Sequence, residues 1–414
     1  MMSSAGARSA ELNAVASSCC GVLGETVLTD SAVIILFAGL LGAGEGFALL
    51  TTSLLPLSNG LCILPMAWIA AHTGSRRLVM LASALAGGVY FMAAMAPWFL
   101  SWAPAVLLVS VFLFSLSLSG FVAGWFPLLD AFLEPDRRVP FFGRMRFCHQ
   151  LVSVAFLFIV GLVIGKQPQV RQLQAVLFIS AVIFLGRMLF ISRIPVSAAT
   201  AGEGPRFRKG LSAAVKNKPL AKFSLYMFAL NLSVYGIVPL TLLYLKNQLH
   251  APDNVTIIIS SVALSGMLLG YSGVGRLIRR WRVKGVLLAL HVAFALAGLA
   301  LFSIGTGNAF TYFLIALLLL LHNLAVASAS IVASSEMLAL STQGNKTMDL
   351  AFCGAFFYGG QGLSRLLSSF LLGTGNAAAR WHMGGFTVSR YQLGFLLCAV
   401  SVTLTALLLK RDDP

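Results

Sequence analysis

Two acids and one arginine stand where charge is costly. Glu25 and Asp30 lie within an apolar stretch that continues to Leu41, and Arg365 lies within GGQGLSRLLSSFLLG. Inside hydrocarbon a charged side chain costs several kcal/mol unless it faces water or a partner, so each marks a candidate ion or substrate pathway. A carboxylate there can take up and release a proton as a solute crosses. Arg365 needs a carboxylate, a carbonyl or an anionic solute.

Uncharged polar residues recur near them at helical spacing. Asn231 and Tyr235 are four apart, as are Ser115 and Ser119, and Gln361 and Arg365, so each pair shares a helix face. Asn323 and Ser330 share a further face with Ala327, and His322 lies about 100° away from it. These groups suit hydrogen bonding to a small polar or amphipathic solute. They also suit packing: a serine in a membrane helix often bonds its own backbone, and His322 reads equally as a packing residue. Arg187 is expected to snorkel to the nearer membrane surface. Tyr90, Trp98 and Trp102 are placed as an aromatic belt.

The chemistry of an enzyme is not written here. The chain carries no Gly-x-x-x-x-Gly-Lys-Ser/Thr loop, His-Glu-x-x-His, Cys-x-x-Cys or Gly-x-Ser-x-Gly. Its acids are scattered, and its six cysteines have no metal-ligand spacing. The sequence therefore implies no catalytic residues, no metal and no cofactor.

Charged residues are 10% of the chain and hydrophobic ones 58%, too little charge to cover a soluble surface. Apolar runs longer than 18 residues recur throughout, each long enough to span a ~30 Å hydrocarbon core. The expected class is an all-α, polytopic membrane protein in the lipid bilayer. The net charge of +16 sits in short patches between apolar runs, which argues against a nucleic-acid partner. MMSSAGARSAELNAVASS lacks an apolar core followed by a cleavage site, so no removable signal is expected.

Twelve helices fit the pattern. Helix 1 ends near Leu41, before the Gly42–Gly46 cluster, and reaches back past Asp30 and Glu25; helix 2 follows over Phe47–Ala71. Asp30 then lies about 16 Å from the end of helix 1, close to the midplane. Helices 3 to 6 cover Arg77–Pro97, Pro104–Asp130, Met145–Gly165 and Leu173–Arg193. Helices 7 to 9 cover Lys222–Leu245, Val255–Ile278 and Lys284–Gly305. Helices 10 to 12 cover Asn308–Ala333, Met348–Gly373 and Arg390–Lys410. The division is a tail (1–13), a six-helix bundle (14–193), a basic linker (194–221), a second bundle (222–410) and a tail (411–414). Alternate segments hold most of the cations: Arg8, Arg76, Arg77, Arg137, Arg138, Arg144, Arg146, the linker, the stretch Arg276–Lys284, Lys346, Lys410 and Arg411. The others hold Lys166, Arg171, Lys246, Arg380 and Arg390. The positive-inside rule then places both termini in the cytoplasm. PLSNGL (56–61) and ALSGML (263–268) precede the basic turns of the two halves as a weak internal repeat.

The helix 2–3 turn, AWIAAHTGSRR, resembles the loop signature Gly-x-Leu-x-Asp-Arg-x-Gly-Arg-Arg of the major facilitator superfamily. Gly74 and Arg76 fit, Ile69 stands in for Leu, and Arg77 follows one place late. Ala67, Ala71, His72 and Ser75 replace the first Gly, the Asp, the Arg and the next Arg. In the second half Gly275, Leu277 and Arg280 fit, while Arg279 and Arg282 replace Asp and Gly. FPLLDAFLEPDRRVPFFGRMR (126–146) resembles bacterial members at the helix 4–5 junction through Asp130, Pro135, Arg138, Phe142 and Gly143, with Arg144 just beyond.

The resemblance implies two pseudo-symmetric six-helix bundles with helices 1, 4, 7 and 10 around a cavity. It implies a secondary transporter working by alternating access, with H⁺ as the preferred coupling ion. It would be monomeric, in the plasma or inner membrane. The implied pathway residues are Glu25, Asp30, Ser115, Ser119, Asn231, Tyr235, His322, Asn323, Ser330, Gln361 and Arg365. The implied cytoplasmic gate is Gly74, Arg76, Arg77, Asp130, Arg138, Gly143 and Arg144, with Asp130 free to pair with Arg76 or Arg77. The absent loop Asp also admits a second reading, a non-transporting sensor or receptor on a transporter scaffold.

Overall fold

The computed structural model describes residues 4–130, 132–133, 137–194, 207–342, 344–373, 381–383 and 386–410, and for 4, 5, 7, 71, 139, 274–279, 282, 347, 381–383, 386, 387, 408 and 410 it describes the backbone only. Pro135, Arg380, Arg411, linker residues 195–206 and the tail 411–414 lie outside the described residues.

The first half contains α1 (Ser4–Thr29), α2 (Ala32–Leu40), α3 (Glu45–Thr73), α4 (Ser75–Ala94), α5 (Ala103–Asp130), α6 (Arg138–Val163) and α7 (Val170–Ser192). A short helix α8 (Phe207–Lys216) leads into α9 (Lys218–Val234) and α10 (Ile237–Leu243). Then come α11 (Asp253–Ser303), α12 (Ala309–Leu340), α13 (Lys346–Gly373) and α14 (Arg390–Lys410). Between the last two, β1 (Trp381–Met383) pairs antiparallel with β2 (Phe386–Val388).

Several boundaries differ from the sequence expectation. The first helix starts at Ser4, so most of the expected tail is helical, and α8 occupies part of the expected linker. The first span is α1 and α2 with a break between them, and the seventh is α9 and α10. Helical structure runs unbroken through α11, yet Gly266 packs on Leu320 and Phe294 packs on His322. A straight helix would hold Gly266 and Phe294 about 42 Å apart, so the chain folds back between them, and α11 supplies the eighth and ninth spans. The turn between α3 and α4 is a single residue, Gly74, at φ +85°. That left-handed conformation favours glycine.

Among the described residues eleven segments are long and apolar enough to cross a membrane. α13 is not one of them, because Gln361, Ser364, Arg365, Ser368 and Ser369 dilute its apolar content, although its 28 residues suffice in length. Those polar residues are buried against α3 and α9, while Leu162, Val163, Phe310 and Phe313 point outward as a lipid-facing coat.

The halves meet along α3–α13 and α6–α11. Glycines bring the first pair close: a Cβ added at Gly60 would stand 2.9 Å from the Gly359 Cα. Small residues at such a crossing let backbones approach where lipid gives no hydrophobic drive to association.

Candidate functional site

The site is built on the two broken spans. Asp30 and Ser31 occupy the α1–α2 break, and Tyr235 and Gly236 the α9–α10 break. Backbone groups freed at mid-membrane need partners. Ser31 Oγ accepts from the Val33 N–H at 3.2 Å and donates to the Val27 carbonyl at 3.0 Å. The Ala32 N–H donates to Ser260 Oγ of the other half at 3.3 Å. The Gly236 N–H donates to Ser364 Oγ at 2.8 Å.

Arg365 joins the two breaks. Its Nη2 lies 2.5 Å from Asp30 Oδ1, its Nη1 donates to the Thr52 carbonyl at 2.9 Å, and its guanidinium stands 6.0 Å from the Tyr235 ring centre. The arginine is buried, but the Asp30 side chain is 44% exposed. Arg365, Tyr235 and Ser260 of the second half meet the α1–α2 break at which Asp30 sits.

Glu25, nearer the basic face, lies 3.8 Å from Arg187 Nη2. Arg187 is 1% exposed, with its guanidinium 3.8 Å from the Phe121 ring centre and 4.9 Å from that of Phe184. A Cβ at Gly21 would fall inside this guanidinium, so the glycine makes the slot. The snorkelling expectation for Arg187 is therefore overturned, because the slot beside Glu25 turns the side chain inward. Its Nε and Nη1 have no hydrogen-bond partner among the described residues.

Arg146 of α6 stands 5.8 Å from the Tyr271 ring centre on α11. Tyr358 of α13 lies in the fields of Glu25, Arg146 and Tyr271, and Tyr235 in those of Asp30, Arg365, Tyr271 and Tyr358. His149 Nδ1 and Ser18 Oγ are 2.8 Å apart, linking α6 to α1.

The other pathway candidates are buried or bonded within the protein. Ser115 and Ser119 are fully buried, donating to the Val111 carbonyl at 2.6 Å and Asn59 Oδ1 at 3.0 Å. Asn231 donates to the Met227 carbonyl at 2.8 Å and Ser330 to the Ala327 carbonyl at 2.9 Å. His322 is buried with its ring centre 5.1 Å from that of Phe294. Asn323 and Gln361 are also buried. Tyr90 leaves the expected belt, with its hydroxyl donating to the Gly24 carbonyl at 3.0 Å inside the core, whereas Trp98 and Trp102 are exposed.

At the basic face the expected partners of Asp130 are corrected. It pairs with Arg138, the first residue of α6, at 2.5 Å, while Arg76 donates to the Ser192 carbonyl at 2.8 Å and Arg77 is exposed. Gly143 has open space around it. Arg144 instead meets Glu11 at 3.0 Å, and Arg137 meets the same carboxylate at 3.0 Å. Glu11 is 4% exposed, and its role follows from the unexpected early start of α1.

Sequence reasoning missed Glu11, Thr52, Arg146, Arg187, Tyr271 and Tyr358 as site residues. Tyr358 was within reach, since positions 358, 361 and 365 follow the i, i+3, i+7 pattern of one helix face.

The sequence model described as Major Facilitator Superfamily matches residues 15–339. The chain belongs to the Major Facilitator Superfamily. A search of curated proteins found no match. Among solved structures, this superfamily member is similar in fold to the nucleoside transporter NupG, with TM-score 0.71 and 15% identity over 99% of both chains. It is also similar to a bacterial homologue of the iron transporter ferroportin in its outward-facing state, with TM-score 0.65 and 15% identity over 98% of both chains. The human organic anion transporter MFSD10 gives TM-score 0.67 and 15% identity over 97% of this chain and 99% of that one. The superfamily chain is thus a multi-pass membrane transporter, with a small-molecule substrate as the class of its cargo.

Proposed function

We propose that the chain is a secondary active transporter of a small polar or amphipathic solute, moving it by alternating access and coupling it to protons through Asp30 and Glu25. The observation that carries this reading is the Asp30–Arg365 pair, which links the two halves at the broken first span. An ionised Asp30 holds Arg365; a protonated one lets it go. Proton uptake thereby becomes a change in the attraction between the halves.

Polar bonds between the halves gather toward one face. Asn247 Nδ2 donates to Glu45 Oε1 at 2.9 Å, the Asp253 N–H to the Lys166 carbonyl at 3.1 Å and Ser369 Oγ to the Gly46 carbonyl at 2.5 Å, all between halves and toward one face. At the basic face the pairs of Glu11 and Asp130 stay within the first half. The bias of Lys and Arg assigns the basic face to the cytoplasm together with both termini. The unit of transport is the monomer, in the plasma or inner membrane.

The test is uptake into proteoliposomes with and without an imposed pH gradient. Asp30→Asn is expected to remove the dependence on the gradient. Full dependence in that variant would refute coupling through Asp30.

A further inference from the structure

We propose that the cavity recognises a small organic monoanion, whose oxyanion docks on Arg146 between the halves beside Tyr271 and Tyr358. This deepens the transport reading and rests on it, since it names the substrate class of the same cavity.

Charge matching inside the bundle carries the inference. Asp30 is answered by Arg365 and Glu25 by Arg187. Arg146 is left over: none of the ion pairs among the described residues includes it, and its contact with the other half is the ring of Tyr271. It is half-buried six residues into the span that begins at Pro140. The other two intramembrane arginines are themselves short of acceptors, since the buried Nε atoms of Arg187 and Arg365 have no hydrogen-bond partner among the described residues. The cavity therefore keeps one uncompensated positive charge, and a monoanion neutralises it.

The neighbouring chemistry fits an oxyanion. A guanidinium offers two parallel N–H donors to a carboxylate or phosphate-like group. The hydroxyls of Tyr271 and Tyr358 are further donors on the opposite half. A cationic solute would meet the Tyr271 ring already covered by Arg146 and two acids already paired. An anion held by Arg146 of the first half and tyrosines of the second touches both halves. It thus binds one arrangement better than another, as a ligand must if it is to shift the balance of states.

The test uses the purified full chain and three probes of similar shape: benzoate, benzamide and benzylamine. Benzoate is expected to raise the melting temperature in a dose-dependent way, with at most a small shift from the other two. Arg146→Gln is expected to abolish the shift and Arg146→Lys to retain part of it. A second readout needs no matched ligand. With the native cysteines replaced and Tyr358→Cys as reporter, an anionic methanethiosulfonate should react faster than a cationic one, and Arg146→Gln should lower that ratio at least threefold. Equal stabilisation by benzamide or benzylamine, a benzoate shift that survives Arg146→Gln, no benzoate shift, or an unchanged labelling ratio each overturns the proposal. Uptake of a neutral or cationic solute that persists in Arg146→Gln would leave the transporter reading standing and remove the anion. Benzoate binding at Arg146 without transport of any solute would do the reverse.

Discussion

Asp30 and Arg365 are 335 residues apart in the chain and 2.5 Å apart in the fold. One sits at a break in the first span and the other on the most polar of the spanning helices, so their meeting ties the broken helix of one half to the interior face of the other.

Breaking this pair from either side should be costly, and breaking both sides less than additive. Arg365 is buried, and removing one partner of a buried pair typically costs about 3–5 kcal/mol; the 44% exposure of Asp30 discounts this to roughly 2 kcal/mol. Asp30→Asn and Arg365→Gln should each lower unfolding stability by about that amount, and the double variant should recover at least about 1 kcal/mol of the sum. Additive losses in a double-mutant cycle would mean that the contact is incidental.

Gly21→Ala should disturb the buried arginine. The added Cβ would occupy the Arg187 guanidinium position, and overpacking of this kind costs about 1–3 kcal/mol. Thermal unfolding in detergent should show a lower midpoint, and Gly39→Ala, where a Cβ meets open space, should not.

The α3–α13 crossing should respond to side-chain volume alone. Gly60→Val would drive against the Gly359 backbone and push the halves apart. Cross-linking between cysteines placed at Ile63 and Gly354, which face each other across this contact, should fall in that variant. Unchanged cross-linking would show that the crossing yields without separating.

The two acids near the basic face should behave differently. Asp130 and Arg138 are 61% and 34% exposed, and such pairs contribute less than about 1 kcal/mol. Asp130→Asn should therefore leave stability and transport rate nearly unchanged. Glu11→Gln should slow transport and lower stability by about 1 kcal/mol, because a single buried carboxylate holds both Arg137 and Arg144. The reverse order in a transport assay would return Asp130 to the gate.

Much of the fold was legible because membrane spans declare themselves locally. A run of apolar residues long enough for the bilayer needs no tertiary partner to be recognised, and a left-handed glycine such as Gly74 marks its turn in the sequence. Asp30, Glu25 and Arg365 stood out for the same reason: an intramembrane charge is conspicuous whatever surrounds it. For Ser115, Ser119, Asn231 and Ser330 the sequence leaves packing and pathway roles open, because a hydroxyl or amide at helical spacing satisfies its own helix as readily as a solute, and the choice depends on neighbours distant in the chain.

The sequence alone determined the membrane class, the number of spans, the basic face and the intramembrane charges, all of which follow from chain composition read against a fixed slab of hydrocarbon. The tertiary structure decided who pairs with whom. It sent Asp130 to Arg138, brought Glu11 to Arg137 and Arg144, turned Arg187 inward beside Glu25, and left Arg146 facing a tyrosine ring. Pairing falls off within a few ångströms and joins groups hundreds of residues apart, so it is fixed by how the helices cross and where a glycine opens a slot.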